Sequence, residues 1–485
     1  MGGNPAAANV TVTLAVVLVG YFALVLGVAI ASHRRTKTEV DFLAAGRTIG
    51  PVVGGAVLAA TQISAGTVVG TLGRHYLTGV SWWWIWLGVW AGWLVSAFFV
   101  APRLRRFGAL TVPDYIGARF GSEGVRAAAA ILILVTNSII LVAQFKASGE
   151  IAQAVFGMPA LAAMLVLVAS TAGYSMLGGV RSSSYIELIQ ALLMVVGLAV
   201  AIPVLLYRVG GVAVATHVLD GLDPRLLGWY YGPKEIAAFG IAFSFSIAVS
   251  PYEMTRFYSM RDERTVKQAI GISIGFQALI GLTVLALGLL TRVLFPTLSS
   301  EDQASSVMAV EVLPPLVAAL LLVAMMSAIM STVNSVLLVT GATVSHDLYG
   351  RVRRGASDAQ LLRVNRLAIL GLAVVPVLVA LQKLGDVQGI VVLQTKFVAS
   401  FFFAPVVIGL NWRGGTAAGA VASMVGGFLA CLAWGFTGQR GFRSHGIDAV
   451  EVGVVASAIL FVVVSRVTRP VSADNVAIFF PERKS

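Results

Sequence analysis

Runs of about 18 or more apolar residues recur along the whole chain, and each is long enough to cross the hydrocarbon core of a bilayer as a helix. Thirteen spans are read, at about 10–32, 51–74, 80–101, 123–153, 159–179, 183–207, 235–258, 266–295, 308–345, 361–382, 387–410, 414–436 and 449–466. No polar stretch between them is long enough to fold as a separate soluble domain, so residues 1–485 are expected to form a single transmembrane domain. Only 12% of residues are charged, against roughly 25% in a soluble domain. The first span lacks a basic leader and is too long for the apolar segment of a signal peptide, so it is read as a retained helix. Cys431 is the sole cysteine, which excludes an intrachain disulfide and a cysteine-based metal cluster.

The net charge of +12 raises nucleic acid as a partner, but its distribution gives another meaning. With an external N-terminus, thirteen spans divide the loops into two sets, one carrying 24 Lys and Arg and the other eight. A threefold bias is the positive-inside signature of a membrane protein and makes the basic set cytoplasmic. The expectation is a multi-pass plasma-membrane protein, bacterial from its Ala- and Gly-rich spans and lean loops. The lipid bilayer is its partner; neither nucleic acid nor an obligate protein partner is expected.

Within the second span lies a polar run, Ala59-Ala60-Thr61-Gln62-Ile63-Ser64-Ala65-Gly66-Thr67. Small and hydroxyl residues glue membrane helices together, which is one reading. The other is a broken helix, because irregular backbone survives in a bilayer only where it lines a cavity or a site. Gly66 and Gly70 are where the backbone is expected to bend. Trp82, Trp83, Trp84 and Trp86 read as interfacial anchors ahead of a substrate wall, Thr111–Gly121 as a short interfacial helix, and Pro251 as the end or kink of the seventh span.

Ionisable residues within spans are expensive and are functional candidates by default. Lys146 and Glu150, four residues apart, share a helix face and pair. Glu187 lies three residues before Gln190. Lys396 follows Gln394 with no acid nearby in sequence, leaving a substrate carboxylate, snorkelling or a distant partner as its options. In the ninth span, Ala328, Ser331 and Thr332 are spaced so that a carbonyl and two hydroxyls meet on one side of a helix. Hard cations favour such oxygens, although a hydroxyl also bonds back to its own i−4 carbonyl.

Several motifs occur in order: Asp41-Phe42-Leu43-Ala44-Ala45-Gly46-Arg47, Ala60-Thr61-Gln62-Ile63-Ser64 and Thr111-Val112-Pro113-Asp114-Tyr115. They continue with Gly178-Gly179 before Glu187-Leu188-Ile189-Gln190, Pro251 five residues before Arg256, and Met330-Ser331-Thr332 before Asp347-Leu348-Tyr349. Last come Ala404-Pro405-Val406 and Gly409-Leu410-Asn411-Trp412. In these, from about residue 10 to 435, the chain resembles the sodium:solute symporter family, which includes transporters of proline, galactose, sialic acid, pantothenate and monocarboxylates. The resemblance implies an all-α, LeuT-like core of ten helices in two inverted five-helix repeats, here 51–207 and 235–410. Residues 10–32 would form one helix before the core, 414–466 two after it, and 467–485 a cytoplasmic tail. It also implies a coupling sodium ion held by the carbonyls of Ala60, Ile63 and Ala328 and the hydroxyls of Ser331 and Thr332.

The chain departs from the family twice. Gln62 stands where some members carry an acid, and Ile186-Glu187 stands where many have Thr-Asp, so Glu187 is the candidate for a second ion or a proton. The expected function is sodium-coupled import of a small carboxylate or amino acid by alternating access, with no organic cofactor. Gln62, Ser64, Thr67, Lys146, Ser244, Ser246, Gln394 and Lys396 are the candidate substrate residues. The alternatives are a proton-coupled carrier using Glu187 or Glu150, a sensor, for which the tail is too short, and an enzyme. The last rests on His346-Asp347, which a helix terminus explains more simply.

Overall fold

In hydrocarbon each backbone N–H and C=O must be satisfied within the chain, which selects helices. The computed structural model describes residues 5–33, 45–107, 109–382, 384–437, 443–444 and 446–480, so Asp41–Ala44 of the first motif lie outside the described residues. Among these, a two-residue hairpin (Arg443–Ser444 with Ile447–Asp448) is the only β ladder.

The helices follow in order as α1 (Pro5–His33), α2 (Pro51–Gln62), α3 (Leu72–Thr78), α4 (Ile85–Val95), α5 (Val112–Phe120) and α6 (Glu123–Phe156). Then come α7 (Ala160–Ala199), α8 (Pro233–Val249), α9 (Pro251–Ser259), α10 (Glu263–Leu294) and α11 (Pro315–Ala342). The chain closes with α12 (Asp358–Ala380), α13 (Val387–Phe403), α14 (Ala417–Thr437), α15 (Ala449–Val467) and α16 (Ala473–Phe479). A further helix, Val212–Leu222, lies between α7 and α8.

Eleven helices are long and apolar enough to cross a membrane, against the thirteen spans expected. The difference has physical causes. The second span is broken after α2, and its remainder runs on through the tryptophan-rich turn into the third as one stretch, Gly66–Arg105. The fifth span is short, Ala160–Met176, and joins the sixth at a kink where Gly179 adopts φ 54°, a backbone conformation that glycine permits.

Packing partners come in matched pairs, as two repeats of opposite sense require. Helix α2 lies on α10 and α8 on α4; α6 lies on α13 and α11 on α7. Helix α11 occupies the centre, with every residue from Ser327 to Ala342 buried, its polar side chains included. Helix α1 packs on α7 and α11, while α14 and α15 pair with each other beside α13.

At one end of the bundle α5 forms the expected short helix. Thr111 caps it by accepting from the Asp114 N–H, and Gly121 ends it in the left-handed region at φ 60°. Here Thr111 Oγ1 donates to buried Asp347 at 2.8 Å, and Arg119 donates to the carbonyls of Gly409 and Trp412 at 3.0 and 2.9 Å. The α16 segment covers α5 through Phe479, stacked 4.8 Å from Phe107. Arg119 and Arg126, counted among loop charges by the sequence reading, are buried.

The α4–α8 contact depends on a missing side chain. A Cβ on Gly88 would lie 2.7 Å from the Gly240 Cα and closer still to its carbonyl oxygen. Gly88→Val is therefore expected to destabilise the protein by about 1–3 kcal/mol through overpacking, seen as a lower unfolding temperature of the purified protein. An unchanged temperature would mean that the two helices separate freely.

Candidate functional ion and solute site

The site is built where α2 stops. Ile63 leaves the helix with φ −73° and ψ 115° while its N–H still reaches the Ala59 carbonyl at 2.8 Å. Beyond that bond the carbonyls at the helix end have no partner within the helix, and the macrodipole makes this end negative. The N–H groups of the turn are met by side chains: Ala65 donates to Gln144 Oε1 at 2.9 Å and Gly66 to Ser64 Oγ at 3.1 Å. Helical backbone resumes at Ala65 and runs through a wide turn, Gly66–Thr71, that leads into α3. The bend thus lies at Ile63–Ala65, before Gly66. Gly66 and Gly70 serve close approach instead, since a Cβ on either would meet Val391 or Gln388 of α13.

Opposite the break, α11 presents two hydroxyls. Ser331 Oγ donates to the carbonyls of Ala60 at 2.6 Å and Ala328 at 3.0 Å. Thr332 Oγ1 is 3.2 Å from the Ala328 carbonyl, 3.4 Å from that of Ile63 and 3.1 Å from that of Thr61. The five oxygens named from the resemblance therefore converge, all of them on buried residues, with the Thr61 carbonyl as a sixth. This neutral oxygen cluster suits a hard cation. Among the described residues no three His, Cys, Asp or Glu side chains group as a metal centre.

One turn further along α11, Ser335 Oγ donates to the Ser331 carbonyl at 2.9 Å and lies 3.1 Å from Thr61 Oγ1. It also lies 3.2 Å from Glu187, which is fully buried and paired with Arg256 at 2.5 Å. Arg256 reads in sequence as a loop residue; it is buried because α9 turns inward after Pro251. Glu187 is thus engaged by a cation 69 residues away in sequence.

The break in α2–α3 borders two small cavities of about 30 and 20 Å³, and the second reaches Ile247 and Tyr252 on either side of the α8–α9 break at Ser250. Gln62 and Ser64 line both, Thr67 the first, and Ser246 and Gln394 the second. Thr71, Trp86, Phe243, Tyr252 and Gln388 complete much of the walls. Three candidates lie elsewhere. Lys146 binds Glu150 at 2.6 Å and also Asp302 at 2.7 Å, while half-buried Ser244 faces Gly92 with its carbonyl. Lys396 binds Asp448 at 2.8 Å and lines a separate, largely apolar cavity of about 590 Å³ with Arg74, Trp82, Tyr231 and Phe239. On α13, Gln388, Val391 and Thr395 face the small cavities, whereas Gly389, Leu393 and Lys396 face the large one.

The tryptophans divide as well. Trp82 and Trp86 are buried inside, whereas exposed Trp84 stacks on Trp229 at 5.7 Å as an anchor would. Trp86 takes the second of its two readings and lines the first small cavity, whereas Gln144 was missed. The buried amide two residues before Lys146 was the available signal for Gln144.

The model of the sodium:solute symporter family matches residues 42–427. The chain belongs to the sodium:solute symporter family. Similar family proteins include the osmoregulated proline transporter OpuE of Bacillus subtilis (strain 168), 28% identical across 94% of this chain and 95% of that protein. The sodium/pantothenate symporter of Escherichia coli (strain K12) is also 28% identical, across 85% and 88%. A Na⁺-coupled sialic acid symporter, solved in a substrate-bound outward-open state, superposes with a TM-score of 0.82 at 18% identity over 95% of this chain and 99% of that one. The fold of this family member is accordingly LeuT-like, with the five-oxygen cluster at the broken helix.

Gln144→Leu leaves the buried Ala65 N–H without its acceptor. The expected cost is about 1–3 kcal/mol, read as a lower unfolding temperature, with Gln144→Glu retaining the acceptor and most of the stability. Equal unfolding temperatures for wild type and Gln144→Leu would mean that water meets this N–H instead.

Proposed function

We propose that this symporter couples one inward-moving sodium ion to the import of a small amino acid or related carboxylate. The observation that carries the ion is the convergence of the Ala60, Ile63 and Ala328 carbonyls with the Ser331 and Thr332 hydroxyls between α2 and α11. A cation there bridges a helix end of one repeat to the centre of the other, so binding it favours one relative position of the two and losing it frees them. Its ligands are neutral, and the weak, reversible affinity that follows suits a transport cycle.

The solute sits beside the break, among Gln62, Ser64, Thr67, Ser246 and Gln394. These walls carry no Lys or Arg, so recognition falls to amides, hydroxyls and the positive end of the α3 half-helix, which favours an anionic group. Buried Trp86 Nε1 has no hydrogen-bond partner among the described residues and supplies a donor to a carboxylate. The small volumes suit a compact solute, and the relatives that carry proline and pantothenate agree in class. Lys146 and Lys396, already paired with acids, set helix positions rather than hold solute.

The repeats run over 51–207 and 235–410, with the N-terminus outside and the α5 face cytoplasmic in a bacterial inner membrane; the loop charge bias supports this orientation. The 590 Å³ cavity then opens on the outer half while α5 straps the inner ends. One charge falling through about 100 mV supplies about 2.3 kcal/mol, enough for roughly fortyfold accumulation of a neutral solute.

Sodium at about 100 times its dissociation constant is expected to stabilise the purified protein by about 2.7 kcal/mol, raising its unfolding temperature relative to potassium at matched ionic strength. Ser331→Ala and Thr332→Ala should each remove the shift. A folded wild type with no sodium-specific shift, together with proton-driven uptake, would transfer the coupling role to a proton.

A further inference from the structure

Two connected hollows on the side of the bundle belong neither to the ion cluster nor to the small cavities. The first, of about 130 Å³, lies where α1, α6, α7 and α11 meet, between Leu18, Ile151, Ala163, Leu167 and Leu322. The second, of about 160 Å³, continues along α1 and α7 past Val25 and Ser170 to Tyr174 and Met330. Phe22 and Val166 line both, so the two form one groove. Its floor is buried at Leu167, Leu322, Tyr174 and Met330, whereas Met158, Val166 and Leu26 on its rim are exposed. Leu161 and Leu165 beside that rim are exposed too, so the groove opens on an apolar outer face of a membrane-spanning bundle.

The chemistry of the lining narrows the occupant. No charged side chain lines either hollow. Each of the three hydroxyls present donates its proton within the chain. Ser148 donates to the Phe145 carbonyl at 2.7 Å, Ser170 to that of Val166 at 2.8 Å and Tyr174 to that of Met330 at 3.0 Å. Too little is left to hold a water, which needs roughly two to four polar partners, and less still for a polar solute. Left empty, the walls forfeit dispersion contacts on one side. The filler that a bilayer supplies is hydrocarbon, and the dimensions suit it. From Ala163 to Tyr174, α7 rises roughly 16 Å, close to the depth of one leaflet, which is half of a hydrocarbon core about 30 Å thick. A helix of a second copy, about 10 Å across with its side chains, is too thick for hollows of this volume. A single acyl chain is not.

We propose that this groove holds one acyl chain of a membrane phospholipid. The chain fills the seam between α1 and α7 and bears on α11 at Met330, the residue before Ser331. Recognition is of the chain and not of the head group, because Gly157-Met158-Pro159 at the α6–α7 end of the groove carries no charge.

The test reconstitutes the purified full chain in phosphatidylcholine vesicles doped with a phosphatidylcholine whose acyl chain bears a photoactivatable diazirine. Labelled residues are located by mass spectrometry after illumination. The wild type should be labelled at Leu322, Tyr174 or Met330, buried residues out of reach of lipid passing over the surface, as well as at exposed Leu161 and Leu165. Ala163→Phe, which puts a ring into the first hollow, should lose the labels on the floor and keep those on Leu161 and Leu165. Should Ala163→Phe not fold, Val166→Trp, at the rim shared by both hollows, takes its place. Wild-type labels confined to Leu161 and Leu165 would mean surface lipid alone and overturn the proposal. Floor labelling that survives in the folded, plugged variant overturns it as well.

Discussion

Everything at the centre of this protein follows from a helix that stops where there is no water. The end of α2 frees carbonyls inside a packed bundle, and such groups cannot be left unmet in a bilayer. Ser331 and Thr332 of α11 answer them, while Gln144 of α6 and the Ser64 hydroxyl answer the N–H groups beyond. A hydroxyl can satisfy a carbonyl by donation and then, by rotating, join it as an acceptor around a cation. The same atoms therefore stabilise the break without an ion and, on the proposed function, would bind the ion when it comes. This also accounts for α11 being buried on all sides. A helix that closes another helix's end must be held from every direction, by α2, α7, α6 and α1.

Local sequence carried the parts of this arrangement that local chemistry controls. The polar runs around Gln62 and Ser331, the Thr111 cap, the Pro251 break and the apolar spans are each properties of a few consecutive residues, and the resemblance to known symporters joined the first two into one ion site. Pairings across the bundle were not legible. Lys396 meets Asp448, 52 residues on, and Arg256 meets Glu187 from a position that reads as loop. In a water-poor interior a charge seeks its counter-charge wherever the fold brings one, and sequence distance says nothing about that. The tryptophan cluster failed for a related reason. Four neighbouring indoles on a helical turn point in different directions, so Trp84 meets the interface while Trp86 meets the small cavity.

The pairings follow one rule. Arg74 binds Asp386 and Glu301, Lys146 binds Asp302, Arg256 binds Glu187 and Lys396 binds Asp448, each joining separate elements of the bundle. Buried ion pairs contribute little net stability, and their best-attested use is to set register. The first three fix where helices of the two halves sit relative to one another, and Lys396 with Asp448 ties α13 to the start of α15. They also remove side-chain charge from the walls of the small cavities.

That neutrality has a consequence for energy conversion. The membrane potential acts on whatever net charge moves with the conformational change, at about 2.3 kcal/mol per charge per 100 mV. If the protein's own charges shifted unpaired, part of that energy would be taken up by the empty carrier on its return. Arg74, Lys146, Arg256 and Lys396 each keep an acid beside them, so these four move with the halves without an unpaired positive charge. On the proposed coupling, a sodium ion held only by dipoles would be the charge on which the field works.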